Sequence, residues 1–180
     1  MPNATVTVPV QMDAKTFRRF AVFDALRRQK RWMGPAVFTG ILLVSAALCY
    51  SQTGVRPGAV LLSSVLVVLA LGLPAVYFGM FFHSLTAQVK KLGLGTPKPV
   101  YRLSLTDAAD GVEVSADAQT VRYQWGTLFG VWRMNDAIYL YTQPGRAFIL
   151  PLGQIRPDAD ALWALCQAKL GADKLHDLKK

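Results

Sequence analysis

The sequence is short of charge. Charged residues make up 17% of the 180 residues and hydrophobic residues 52%, whereas an average soluble domain is about 25% charged. The shortage is local, because residues 33–82 contain one charged side chain, Arg56, and the other 130 residues hold the remaining 30. The composition therefore predicts an ordinary globular chain interrupted by a membrane-grade insert. It excludes a disordered chain and a fully soluble enzyme.

Cysteine and histidine are also scarce, with two of each. Cys49 and Cys166 fall in different predicted segments, which excludes a secreted disulfide scaffold. Neither His83 nor His176 lies in a metal-ligand spacing. The motifs of a nucleophile elbow, a phosphate loop and a zinc protease are missing as well. We therefore expect no cofactor, no metal site and no enzymatic activity.

Two uncharged apolar segments lie within the insert, at residues 33–51 and 59–82. A helix needs about 20 apolar residues to cross a bilayer core of about 30 Å, so each segment is long enough to be a transmembrane helix. The alternative is a buried helical hairpin in a soluble protein, but a chain of this size has too little other material to cover it. Neither span contains an acidic, basic or histidine side chain, which argues against a transport path.

The basic residues predict the orientation of the spans. Seven precede the first span, four follow the second, and the connecting loop carries only Arg56. Because cytoplasmic flanks carry the excess of Lys and Arg, we expect a multi-pass membrane protein with both termini in the cytoplasm. Charges that lie against a bilayer are poorly placed for nucleic acid. The residues expected to contact anionic lipid headgroups are Arg18, Arg19, Arg27, Arg28, Lys30, Arg31, Lys90 and Lys91.

The segment before the first span, residues 1–32, contains a short strand and a basic helix. Residues 4–10 alternate between apolar and polar side chains, as a strand does. Asp13 can cap a helix over residues 14–31. That helix is either a basic lead into the first span or an interfacial helix held to anionic headgroups, and the two interpretations are compatible.

A strand-rich region follows the second span. Residues 83–99 are interpreted as a basic exit and linker, and residues 100–171 contain about six short alternating strands separated by turns. A final amphipathic helix starts at Pro157 or Asp158. The charged tail at residues 172–180 is expected to fray.

Short antiparallel strands closed by one C-terminal helix are typical of a pleckstrin-homology-like (PH-like) roll. The predicted fold is therefore an α+β membrane protein, with a two-helix transmembrane hairpin and a cytoplasmic antiparallel PH-like β-roll capped by a C-terminal helix. We hypothesise that the strand at residues 4–10 adds a seventh strand to the roll, across the hairpin.

The most specific block is Tyr-Gln-Trp-Gly-Thr-Leu-Phe-Gly-Val-Trp at residues 123–132, continued at residues 135–141 and 148–152. Together with the order of parts along nearly the whole chain, it resembles the YcxB-like family of bacterial membrane proteins. The resemblance implies a relative of PH domains anchored in the bacterial cytoplasmic (inner) membrane, and it implies no known reaction. At Leu152 the family usually has a basic residue, so the resemblance carries no anion contact over to this position.

These features favour a membrane-anchored, non-enzymatic module. Its cytoplasmic PH-like domain would bind a protein or peptide partner at the inner membrane face, with auxiliary contacts to anionic lipids. The aromatic residues proposed for the partner surface are Trp125, Trp132, Tyr139 and Tyr141.

The alternative function is a subunit of an oligomeric membrane pore or transporter, in which the hairpin is the working part. Its polar path would have to run through Ser45, Ser63 and Ser64. Small residues spaced four apart, at Ala36-x-x-x-Gly40 and Ala75-x-x-x-Gly79, permit close helix approach and leave a homo-oligomer open.

Overall fold

The computed structural model describes residues 5–52, 54–107, 111–116 and 119–179. The chain divides into a β-rich unit, Met1–Thr16 with Thr96–Lys180, and a helical unit, Phe17–Gly95. Ala4, at the start of the predicted first strand, and Lys180, at the end of the predicted tail, lie outside the described residues.

The β-rich unit begins with a strand that precedes the helical unit in sequence. This strand, β1 (Val6–Met12), pairs antiparallel with β2 (Lys98–Leu105), which follows the helical unit. Val6, Val8 and Val10 are at most 2% exposed, because alternate residues of a strand point to one face. The pairing confirms the hypothesis that the N-terminal strand joins the sheet.

The described residues form eight strands in two four-stranded sheets, of order β1-β2-β3-β4 and β7-β6-β5-β8. Neighbouring strands pair antiparallel except β5 and β8, which are parallel. The six strands predicted for residues 100–171 are present as β2–β7. The remaining strands are β3 (Val112–Ala116), β4 (Gln119–Tyr123), β5 (Gly130–Arg133), β6 (Ala137–Gln143), β7 (Arg146–Pro151) and β8 (Leu175–Asp177).

Both sheets contribute to one hydrophobic core, which the predicted C-terminal helix helps to form. This helix, α4 (Ala159–Lys169), follows Asp158 and buries Leu162, Trp163 and Cys166. Burial raises the pKa of the Cys166 thiol to about 12, because loss of water disfavours the charged thiolate.

Backbone and side-chain bonds cover the outer edge of β1. Thr7 N donates to Arg156 O at 2.9 Å, and Arg156 N donates back to Thr7 O at 3.1 Å. The Gln154 side chain accepts from Gln11 N at 2.7 Å and donates to Gln11 O at 3.0 Å. The strand is therefore bonded on both sides, by β2 and by the residues that follow β7.

A tyrosine hydroxyl occupies the outer edge of β7. Tyr101 Oη accepts from Ile149 N at 2.7 Å and donates to Ile149 O at 3.0 Å. It thereby pairs both polar groups of a residue in β7, which is an edge strand of its sheet among the described residues. Burial raises the pKa of Tyr101, and the hydrogen bond that its oxygen accepts from the Ile149 backbone acts in the opposite direction.

The tail at residues 172–180 was expected to fray, and this expectation is wrong for its described part. Residues Leu175–Asp177 form β8 beside β5. Leu178 N donates to Arg133 O at 2.9 Å, and the half-buried Leu175 packs against the core. The tail is held because its leucines and one histidine contact the sheet, although most of its other residues are polar or charged.

The basic helix before the first apolar segment is also present. It starts as α1 (Ala14–Val22) and continues as a π-helical stretch, Phe23–Arg28. Asp13 caps it as predicted, since Asp13 Oδ1 accepts from Thr16 N at 2.7 Å. Hydrogen bonds from the side chain and backbone of Thr16 lower the pKa of the Asp13 carboxyl.

The two apolar segments are helices long and apolar enough to cross a membrane. The first, α2 (Met33–Ser51), has the predicted bounds, and the second, α3 (Ala59–Lys91), continues past the predicted end at Phe82. Only 6% and 11% of their apolar windows are buried. The alternative of a hairpin buried in a soluble core therefore does not match the structure.

Two hydrogen bonds fix how α2 and α3 pack. Thr39 Oγ1 donates to Ala70 O at 3.2 Å, and Ser63 Oγ donates to Ala46 O at 3.1 Å. Both bonds fit one antiparallel register. Small side chains at these positions let the backbones approach.

The small-residue pairs singled out in the sequence lie elsewhere on the two helices. Ala36, Gly40, Ala75 and Gly79 are exposed in the single chain. They do not form the contact between α2 and α3, and they remain on the outer surface of the hairpin.

Replacing Tyr101 by phenylalanine should destabilise the β-rich unit by about 1–3 kcal/mol, because the Ile149 N–H and C=O both lose their partner. The measurement is chemical denaturation of the full chain in detergent, followed by tryptophan fluorescence. Tyr123→Phe is the matched control, since the Tyr123 hydroxyl makes no hydrogen bond within the described residues, while both rings contact Phe148. Equal effects of the two changes would contradict the proposed edge closure.

Candidate functional site

The four aromatic residues predicted as a partner surface do not form one. Trp125, Tyr139 and Tyr141 are at most 3% exposed, and only Trp132 is half-buried. Trp125 Nε1 donates to Thr106 O at 3.1 Å, so this side chain joins two parts of the β-rich unit. The three buried rings contribute to packing, and a partner cannot reach them in this fold.

Trp132 lies in an aromatic cluster at the surface of the second sheet. Its ring stacks on His176 of β8, with centroids 4.5 Å apart and planes at 28°. It also meets Tyr141 edge-on at 4.7 Å and lies nearly parallel to Phe129 at 6.2 Å. Phe129 is 44% exposed, so the accessible part of this cluster comes from Phe129 and Trp132.

A glycine makes this cluster possible. A Cβ atom on Gly130 would lie 2.9 Å from Trp132 Cζ3 and 3.1 Å from the Lys174 carbonyl oxygen. Both distances are shorter than ordinary van der Waals contact. Gly130 therefore lets the indole ring and the segment leading into β8 close over β5.

A surface that the sequence analysis missed is the open edge of β4. This strand is the last in its sheet, and within the described residues no strand covers its outer side. Val121 lies opposite Val114 in the ladder, on the core-facing side, yet Val121 is 47% exposed and Val114 only 6%. An exposed apolar residue on a polar strand is a weak signal, so alternation alone could not single it out.

Arg133 is a buried cation in the middle of the β-rich unit. It bonds to Asp160 in the first turn of α4 and lies over the Trp163 ring, 5.6 Å from the centroid. Its Nε has no hydrogen-bond partner among the described residues. These contacts link β5 to α4, so the side chain acts in positioning the helix.

The eight basic residues predicted to contact lipid all lie in the helical unit. Arg28 differs from the rest, because its Nε lies 2.6 Å from Asp24 Oδ1 and its side chain is largely buried. The others are exposed: Arg18, Arg19, Arg27, Lys30, Arg31, Lys90 and Lys91. They form one group before α2 and another at the end of α3.

Two of the three serines proposed for a polar path donate their hydroxyls to backbone carbonyls of the hairpin. Ser63 Oγ donates to Ala46 O, and Ser64 Oγ donates to Val60 O at 2.9 Å. Ser63 is buried between the helices and Ser64 is exposed, so the two hydroxyls do not line a common path. In the part of the chain that the structure describes, no group of three His, Cys, Asp or Glu side chains could hold a metal ion.

A family model described as YcxB-like protein matches residues 108–162. This part of the chain is a YcxB-like domain. The match confirms the resemblance over the region from β3 to α4, and β1, β2 and β8 lie outside it. No curated protein and no solved structure matches the chain.

Changing Gly130 to alanine should destabilise the YcxB-like domain by about 1–3 kcal/mol, because the new methyl group displaces the Trp132 ring or the β8 segment. Denaturant titration measured by tryptophan fluorescence checks it. Gly126→Ala is the control, since a Cβ there meets nothing within 4 Å. If Gly130→Ala unfolds at the same midpoint as Gly126→Ala, the close approach over β5 does not contribute.

Proposed function

We propose that this chain is a membrane-anchored, non-enzymatic binding module. In this proposal α2 and α3 cross the bacterial inner membrane as a hairpin, with both chain termini in the cytoplasm. The PH-like β-rich unit binds an extended segment of a protein partner at the inner membrane face. The exposed basic residues add contacts to anionic lipids.

The observation that carries the proposal is the pairing of β1 with β2 on either side of two exposed apolar helices. Met12 lies opposite Lys98 in the ladder, so the helical segment between them leaves and re-enters the same sheet at adjacent positions. A segment that starts and ends at one place crosses a bilayer an even number of times. Two apolar helices with almost fully exposed windows meet that condition.

The exposed charges support the orientation. The basic groups before α2 and after the apolar part of α3 flank the ends of the hairpin that lead to the β-rich unit, whereas the loop between the helices carries Arg56. Basic residues near anionic headgroups contribute about 1 kcal/mol each. Both ends of the hairpin therefore favour the cytoplasmic leaflet.

The arrangement of strands supports a PH-like roll. Strands β1–β4 form one antiparallel sheet, β5–β7 follow one another in the second, and α4 comes directly after them with its apolar side in the shared core. A sheet pair closed by one helix leaves strand edges as the natural places for a ligand.

The β4 edge is the surface that we propose for the partner. An uncovered strand edge offers unpaired backbone groups to an added strand. On β4 the exposed Val121 would face an apolar side chain of the partner, while Arg122 on the other face pairs with Glu113 at 2.9 Å. This ion pair leaves no net charge opposite the added strand.

Membrane topology is tested by cysteine labelling in spheroplasts, in a Cys49→Ser background. Val55 is 82% exposed in the loop between the helices, so Val55→Cys should react with a membrane-impermeant maleimide from outside. Lys179→Cys should react only after permeabilisation. Recovery of the chain in the soluble fraction, or labelling of Lys179→Cys from outside, would contradict the proposed anchor.

The partner surface is tested by photocrosslinking in intact cells. A photoreactive side chain at Val121 should give a discrete protein adduct, because the partner strand would lie directly beside it. The matched control is the same side chain at Ala161, which is exposed on α4. Adducts that are absent at Val121, or equally strong at Ala161, would remove the support for docking at the β4 edge.

A further inference from the structure

A cleft lies inside the helical unit, between the basic helix and the last part of α3. Its volume is about 220 Å³, below the range of about 300–1,000 Å³ for sites that hold drug-sized ligands. Aromatic rings and polar side chains share the lining, with Phe17, Phe20, Phe81, Ser84, Gln88 and Arg31 among them. A cleft of this size and lining fits a small polar group with apolar atoms attached.

The packing register explains why the cleft exists. The two bonds between α2 and α3, extended along the helices, place Met33 opposite Val76. Beyond that point α3 has no partner from α2, and the basic helix covers it instead. Leu85 and Val89 of α3 are buried there. The cleft is the space left between α3 and the basic helix.

The backbone around the cleft is unusual. Phe23–Arg28 is π-helical, a form that appears mostly as single turns and frequently at functional sites. Lys30 has a φ of 50°, a left-handed conformation that is uncommon for a residue other than glycine. Such conformations persist where the surroundings hold them, and they cluster at ligand sites.

One polar network runs along the wall of the cleft and contains two guanidinium groups and one carboxylate. The Asp24 carboxylate accepts from Arg28 Nε at 2.6 Å and from the Gln29 side-chain amide. Gln29 Oε1 in turn accepts from Arg31 Nε at 2.8 Å. Arg28 and Arg31 carry two positive charges against the one negative charge of Asp24, and the guanidinium fork of Arg31 matches a phosphate.

We infer that this cleft binds the headgroup of one anionic phospholipid from the inner leaflet. The inference rests on the proposed membrane anchor, which places the start of α2 at the headgroup level. Arg31 binds the phosphate, Ser84 and Gln88 offer hydrogen bonds to the headgroup, and the phenylalanine rings contact the first carbons of the chains. Lys91 adds charge at the rim, because it lies seven residues after Ser84 on the same helical face.

The test is native mass spectrometry of the full chain in detergent, with dioleoyl phosphatidylglycerol and dioleoyl phosphatidylcholine as the added lipids. The wild-type chain should retain one phosphatidylglycerol at concentrations at which it retains no phosphatidylcholine. Arg31→Gln should weaken this retention about tenfold, the loss expected for a charge-assisted hydrogen bond. Ala21→Leu should also weaken it, because the larger side chain fills the cleft without changing any charge.

Lys15→Gln is the matched control, since Lys15 is exposed on the same basic helix, is not among the residues expected to contact lipid and does not line the cleft. It should retain phosphatidylglycerol within about twofold of the wild type. Circular dichroism and a single elution peak show that each variant folds. If Lys15→Gln weakens retention as much as Arg31→Gln, or Ala21→Leu has no effect, or the wild type retains no phosphatidylglycerol, the site is overturned. The labelling of Val55→Cys tests the anchor separately.

Discussion

The β-rich unit depends on β1, a strand that precedes the helical segment in the sequence. It places four side chains in or beside the core, bonds to β2 on one side and to residues 154–156 on the other. Pairing two strands that are distant in sequence costs loop-closure entropy. The pairing stabilises the fold only if the strand buries enough apolar surface to offset that cost. Val6, Val8 and Val10 supply that surface, at about 1.5–3 kcal/mol for each fully buried side chain.

This constraint organises the helical segment as well. Because Met12 and Lys98 are paired, the helices are an insertion into a folded sheet, with both ends held at one place. Few contacts between α2 and α3 are then needed to align the two helices. Two hydroxyl hydrogen bonds, together with small residues, suffice to set their register. The long α3 extends past α2, where the basic helix packs on it and creates the cleft.

Sequence patterns predicted the parts that local physics determines. Alternation predicted β1–β7, hydropathy predicted α2 with its bounds, and the capping preference of aspartate predicted Asp13. Burial of aromatic rings was not predictable, since Trp125, Tyr139 and Tyr141 look the same in sequence whether they face a core or a partner. The strand β8 was missed because three residues in a charged tail carry no periodicity, and their order comes from contacts with Trp132 and Arg133.

Cys166 offers a direct measurement of the role of β1. Its thiol is 1% exposed and its pKa is raised to about 12, so in a Cys49→Ser background it should react very slowly with a maleimide at neutral pH. Removing residues 1–12 from the full chain opens the core on this account and should raise the labelling rate at least about tenfold, as for a loss of more than about 1.4 kcal/mol of protection. An unchanged labelling rate would show that the β-rich unit holds together without β1.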